Sequence, residues 1–200
     1  MVNKMHDLLQ LFNQDFVHIH QTSKGKFSII EKKDGGKGVC DFQSENDVLI
    51  IKAKDQNTPL WSLKSKKCAE GAFVVLDKNH QSLSLHIIEM KSKLTYDEFE
   101  KVIQQLQGMY LMAFCVISIL KLNIPKNIIT YVTYKNETVQ NKINQDLKRI
   151  PKKSIGIKDP VLESWETEKI KLSHNNTAKL IKGIRIDDGN GNFNCDFGMV

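Results

Sequence analysis

Residues 84–93, SLHIIEMKSK, begin as an apolar strand and end in charge. Side chains along a strand alternate faces. Leu85, Ile87, Glu89 and Lys91 therefore share one face, and His86, Ile88 and Met90 share the other. Glu89 and Lys91 project the same way, about 7 Å apart along the strand. An ion pair buried there contributes little net stability, because desolvation offsets the attraction. A carboxylate and an ammonium closing an apolar run therefore call for a functional reason.

The flanking sequence sets these residues in a core. AFVVL (72–76) reads as a strand, DKNHQS (77–82) as a polar turn and LSLHIIEMK (83–91) as the returning strand. A turn centred between Lys78 and Gln81 makes paired positions sum to about 159. Glu70 then lies opposite Glu89. Asp77, the competing acid, falls opposite residue 82, roughly 23 Å from Glu89 at the usual rise per residue, and reads as a turn residue. A long helix follows over residues 94–122. Thr95 is its expected N-cap, with Glu98 three residues on. Phe99, Val102, Ile103, Leu106, Met109, Tyr110, Ala113 and Ile117 recur at helical spacing. Asn123-Ile124-Pro125 ends the helix. NIITYVTY (127–134), rich in β-branched and aromatic residues, reads as a strand. The crossover helix lets it run parallel to strand 83–91. The core is thus β–β–α–β in an α/β domain.

The remainder is organised more loosely. Residues 3–17 place Leu8, Leu9, Phe12 and Phe16 on one helical stripe. GKFSIIEKK (25–33), GVCDFQ (38–43) and NDVLIIKAK (46–54) read as strands, the first ended by a turn at Asp34-Gly35-Gly36. Residues 55–67 read as a loop. Residues 137–150 suit a short polar helix. AKLIKGIRIDD (178–188) and GNGNFNCDFGMV (189–200) suit a terminal hairpin turning at Asp188-Gly189.

Two hundred residues suit a single domain, which at this size folds without disulfides. Cys40, Cys68, Cys115 and Cys195 are scattered and form no zinc-like spacing, so they read as reduced, mostly buried thiols. The apolar run Met109–Leu122 is too short to span a bilayer and reads as a buried helix segment. The N-terminus has no signal-peptide pattern, and a cytoplasmic protein without a membrane partner is expected. Charge is uneven. Residues 121–185 hold 14 Lys/Arg against 6 Asp/Glu, a net of +8 within a chain total of +6. A basic C-terminal half suits a polyanionic partner such as nucleic acid.

Two carboxylates at one end of a hairpin suit a hard divalent cation such as Mg²⁺, which prefers oxygen ligands and retains waters. The adjacent lysine offsets the gathered negative charge and can orient or deprotonate a water for attack on phosphorus. On the helix, Gln104, Gln105 and Gln107 interrupt the apolar pattern. Gln105, next to core Leu106, can reach over the sheet toward Lys91, and a solvated helix face is the equal alternative. Other chemistry is weakly represented. KDGGKG (33–38) lacks phosphate-loop spacing, and His6, His18, His20, His80, His86 and His174 form no metal or triad pattern. His18 and His20 read as surface residues near the helix end, and His86 as a packed strand residue.

Glu70, a strand, a turn and Glu89-Met90-Lys91 together resemble the PD-(D/E)xK nuclease superfamily. The resemblance covers about residues 66–135, and Gln105-Leu106 is similar to the Gln-Leu pair that many members carry on the helix. The first acid there is usually Asp, and here it is Glu70. Many members also supply an acid from an early helix, for which Asp7 and Asp15 are both candidates. The resemblance implies a restriction-endonuclease-like core, a mixed β-sheet flanked by helices, with residues 136–200 as a basic extension. It implies a Mg²⁺- or Mn²⁺-dependent nuclease in which Glu70 and Glu89 hold metal, Lys91 positions water and Gln105 supports the site. DNA is favoured over RNA on this ground alone, as is a role in restriction, repair or defence. Double-strand cleavage would call for two sites, as in a homodimer. The alternatives are a catalytically inactive protein of the same fold that binds DNA or a partner subunit, and an interaction module in which Glu89 and Lys91 merely pair.

Overall fold

A computed structural model describes residues 7–33, 36–58, 60, 63–79, 81–137, 139, 159–173 and 175–200. The first four strands are β1 (Val17–Thr22), β2 (Gly25–Lys33), β3 (Gly36–Ser44) and β4 (Val48–Ala53). The hairpin β5 (Gly71–Leu76) and β6 (Ser82–Leu94), the helix α1 (Tyr96–Ile119) and β7 (Asn127–Glu137) form the middle of the chain. The chain closes with α2 (Pro160–Thr167), β8 (Lys169–Lys171), β9 (Thr177–Ile184), β10 (Ile186–Asp187) and β11 (Asn192–Met199).

Seven strands form one mixed sheet in the order β1-β4-β5-β6-β7-β9-β8, and four form a second in the order β10-β11-β3-β2. Each neighbouring pair among β1, β4, β5 and β6 is antiparallel, whereas β6, β7 and β9 run parallel. Strand β6 is where the sheet changes sense. Its residues Leu85–Met90 are all buried, because layers cover both faces of the sheet, and a strand of that kind reads as a nearly continuous apolar run.

On one face, Leu85 and Ile87 of β6 and Ala72 and Val74 of β5 pack beneath Phe99, Val102, Leu106 and Met109 of α1. Trp165 of α2 closes that layer, its ring 5.0 Å from Phe99. On the other face, Ile88, Met90, Phe73 and Tyr131 meet Phe27, Ile29, Phe42 and Cys195 of the four-stranded sheet. Aromatic rings dominate that interface. Phe42 lies 4.9 Å from Phe73 and 5.2 Å from Tyr131, both edge-on, the arrangement ring quadrupoles prefer. The expected mixed sheet is present, but among the described residues helices flank only one of its faces. The second sheet takes the other, because β2 and β3 have enough apolar residues on one side to bury.

The β5–β6 hairpin has the expected register, with Gly71 opposite Ile88 and Phe73 opposite His86. Asp77 caps its turn by accepting from Asn79 N and Gln81 N at 2.7 and 2.9 Å, a turn role and not a site role. Thr95 caps α1 by accepting from Glu98 N at 3.2 Å, while the Glu98 carboxylate pairs with Lys101 at 2.6 Å. Strand β7 runs parallel to β6. By length and mean hydropathy α1 is long and apolar enough to cross a membrane, and over half of that stretch is buried against the sheet.

Three elements depart from the sequence reading. The N-terminal helix ends early: residues 7–9 are helical, and Val17–Thr22 is an edge strand carrying His18 and His20. The helix α2 and strand β8 arise from residues given no element above. The terminal hairpin is shorter than expected. Asp188-Gly189 lies in its turn, but only Ile186 and Asp187 pair with β11. Thr177–Ile184 joins β7 in the large sheet instead, and the chain crosses to the small sheet at Arg185. The Asp34-Gly35 turn and the polar helix expected over residues 137–150 lie largely outside the described residues.

Candidate active site

The charged end of β6 sits under the middle of α1. Glu89 follows Leu85 and Ile87 on the helix-covered face and is fully buried, at 0 % exposure. Lys91 Nζ lies 2.8 Å from Glu89 Oε1 and donates to Gln105 Oε1 at 2.9 Å. Gln105 is 7 % exposed, in the centre of α1, and its Nε2 reaches the Cys68 carbonyl at 3.5 Å. Gln104 is exposed, and Gln107 turns to the Lys171 carbonyl at 3.2 Å. The polar interruption in the helix therefore resolves into one glutamine on the Lys91 ammonium and two elsewhere.

Glu70 stands one residue before β5. Extending the hairpin register by that residue places it opposite Glu89. It is buried at 8 % exposure, and its Oε1 accepts from Gln56 Nε2 at 2.6 Å. Glu89, Lys91 and Gln105 are thus in direct contact, and Glu70 occupies the adjoining strand position with its carboxylate fixed by Gln56. Asp15 lies before β1, outside this group, and Asp7 is exposed near the N-terminus.

The ribbon carrying Glu70 is pressed against the helix. Ala69 N donates to the Gln105 carbonyl at 3.1 Å, and Cys68 N to the Gln56 carbonyl at 2.7 Å. This approach needs Gly108. A Cβ at that position would run into the Lys67 carbonyl oxygen, a backbone atom that cannot step aside. Burial pushes the Cys68 thiol up to about 12; a hydrogen bond from its partner Thr58 opposes the rise and the nearby Glu89 charge adds to it. Cys68 is therefore a neutral thiol at the edge of the site and not a nucleophile.

Gln56 had no signal in the sequence beyond its place in a polar loop. It follows Asp55, and both adopt left-handed backbone with φ of 53°. Non-glycine residues are rarely found there, and the strain costs on the order of 1 kcal/mol each. That turn directs the Gln56 amide at Glu70.

The donor set suits one class of ion. Among the described residues no group of three or more His, Cys, Asp or Glu side chains converges as a metal cage. A four-ligand zinc site is not formed by those residues. Mg²⁺ and Mn²⁺ need only one or two carboxylates, with waters and substrate oxygens completing the shell. Glu70 and Glu89, at paired positions with a cation beside them, fit that demand.

The basic character of the C-terminal half is divided. Lys169, Lys171, Lys179 and Lys182 belong to β8 and β9, while Lys142, Lys148, Arg149, Lys152, Lys153 and Lys158 lie outside the described residues. No protein-family model, curated protein or solved structure matches the chain.

Proposed function

We propose that the chain is a metal-dependent phosphodiester hydrolase with a restriction-endonuclease-like core, acting on nucleic acid, with DNA the preferred substrate. The observation that carries this reading is the placement of the fully buried Glu89, 2.8 Å from Lys91, one residue beyond the last strand pair, Gly71 with Ile88, where the same register brings Glu70 opposite it. A structural ion pair has no need of a second buried carboxylate alongside.

Glu70 and Glu89 would hold one Mg²⁺ or Mn²⁺. When bound, such an ion supplies Lewis-acid stabilisation of the charge that builds on the phosphate oxygens. The chain's own residues do the rest. Gln56 orients the Glu70 carboxylate by donating to its Oε1 at 2.6 Å. Gln105 and Glu89 take two of the three donor directions of the Lys91 ammonium, which leaves the third for a water or a phosphate oxygen. Lys91 is 16 % exposed, so that direction can reach solvent. Held by Glu89 and Gln105, Lys91 orients the attacking water and screens the phosphate. Lysines of β8, β9 and the segment before α2 would hold the backbone by counter-ion release.

The test is direct. Purified protein is incubated with plasmid, single-stranded DNA and RNA in Mg²⁺, Mn²⁺ or EDTA. Cleavage that needs the metal and vanishes in a folded Lys91→Ala variant supports the reading. Salt-sensitive retention of DNA without cleavage, indifferent to Lys91→Ala, identifies an inactive binding protein instead.

A further inference from the structure

A cleft of about 560 Å³ is lined by the residues on either side of Gln56, whose amide holds Glu70. Its walls include Asp15, Phe16, Lys54, Asp55, Asn57 and Lys66. Its scaffold is continuous with the site. Lys54 N donates to the Phe16 carbonyl at 2.9 Å, Thr58 N to the Lys66 carbonyl at 2.6 Å, and Asn57 bridges to Lys67. From Lys67 the same strand of chain runs through Cys68 to Glu70.

Two features of the cleft are out of place on an idle surface. Phe16 is 56 % exposed, although the chain has a large core next to it. The charges also fail to satisfy one another. Lys54, Lys66, Asp15 and Asp55 ring one concavity, yet among the described residues none of them forms an ion pair. Opposite charges held apart around an open aromatic ring match a ligand that is itself mixed: an anionic phosphate, a flat π-face and polar N–H or O–H donors. An unpaired nucleotide has these parts.

We propose that this cleft binds one unpaired nucleotide of the substrate strand next to the scissile phosphate. The inference rests on the nuclease reading for the class of ligand and deepens it by choosing single-stranded or frayed substrate. The base stacks on Phe16, the phosphate lies between Lys54 and Lys66, and the carboxylates of Asp15 and Asp55 accept from base amino groups or the sugar. Stacking on an aromatic ring requires a base out of its duplex stack. The left-handed turn at Asp55-Gln56 links the two places, since it shapes the cleft wall at Asp55 and holds Glu70 through Gln56.

The experiment measures binding by fluorescence anisotropy of a labelled single-stranded 12-mer and of a blunt duplex of the same length, in EDTA, over a range of salt. Phe16→Ala is expected to weaken single-strand binding about 5- to 150-fold, the usual loss for one stacked base. Lys54→Ala/Lys66→Ala is expected to lower the slope of log affinity against log salt by about 0.7, the value for one single-strand phosphate contact. Duplex binding should change less than twofold in both. Phe16 is largely exposed, and circular dichroism checks that each variant is folded; if Phe16→Ala is not, the double lysine variant decides. Wild-type binding in the cleft variants, or equal losses on single strand and duplex, overturns the proposal. Metal-dependent cleavage surviving in those same variants leaves the nuclease reading intact. Loss of single-strand binding in a protein that cleaves nothing upholds the cleft and sinks the nuclease reading.

Discussion

The proposed site gives Glu89 two tasks, pairing with Lys91 and holding a metal ion, and a mutant cycle separates them. Lys91→Ala leaves the Glu89 carboxylate at 0 % exposure without the ammonium 2.8 Å away. Removing one partner of a buried pair costs about 3–5 kcal/mol. Lys91 is 16 % exposed, so partial hydration of the gap puts the expected loss near the lower end, about 3 kcal/mol. That is a large share of the ~5–15 kcal/mol that holds a domain together. Glu89→Gln/Lys91→Ala should recover most of the loss, because it removes the buried charge along with its partner. Urea unfolding of wild type, Lys91→Ala, Glu89→Gln and the double variant at pH 7 gives the coupling, expected at about 2 kcal/mol. The same series is then repeated with Mg²⁺. A bound ion at ten times its Kd raises stability by about 1.4 kcal/mol. Wild type and Lys91→Ala should show that increment, and Glu89→Gln should not. A loss below about 1 kcal/mol in Lys91→Ala, or a double variant as unstable as the single, would refute the electrostatic argument. A Mg²⁺ increment of equal size in Glu89→Gln would refute the assignment of Glu89 as a ligand.

Three further outcomes follow from the packing. His86 is 2 % exposed, stacked on Phe73 at 4.4 Å, and burial pushes its pKa down to about 3. The unfolded imidazole takes up a proton near pH 6.5 and the folded one does not, so its contribution is complete above that pH and is lost as pH falls toward 3. The loss reaches on the order of 4 kcal/mol; acid titration of the urea midpoint should show it, and His86→Gln should flatten that part of the curve. Gly108→Ala should cost about 1–3 kcal/mol by driving a Cβ into the Lys67 carbonyl. It should depress cleavage by more than the melting shift accounts for, because the displaced ribbon carries Glu70. Gln56→Gly relieves left-handed strain while removing the hydrogen bond to Glu70, terms of about 1 kcal/mol each and opposite sign. Its melting temperature should hardly move while Mn²⁺ affinity, read by calorimetry, falls.

The sequence exposed the elements whose contacts are local. The hairpin 71–94, the N-cap at Thr95 and the parallel return of β7 each depend on residues within about one crossover of one another, where turn chemistry, apolar period and capping act directly. The approach of Gln105 to Lys91 was half visible, since helical period could place that residue near the sheet but could not say whether it was buried. Strand β1 was obscured because VHIHQT alternates apolar residues with histidines directly after a helical stripe, and an edge strand with one covered face carries a weak pattern. The second sheet was invisible as a layer. Its closure depends on β11 lying parallel to β3, a pairing across about 150 residues that no local signal encodes.

Gln56 shows why the last part of a site escapes such reading. Nothing in DQNTPLWS marks it, and its left-handed backbone runs against residue preference. A polar loop residue acquires a role only when the β4 end, the ribbon 66–70 and the helix are all in place to aim it. Sites are where a local rule is broken and the rest of the fold holds the exception. Two such exceptions meet here: a charged pair at the end of an otherwise apolar strand, which the sequence displays openly, and consecutive left-handed residues in a plain loop, which it hides. They converge on the same two carboxylates, Glu89 from one and Glu70 from the other. Gln56→Gly tests whether they belong to one device. If metal affinity survives that change unaltered, the strained turn serves the neighbouring cleft and not the ion.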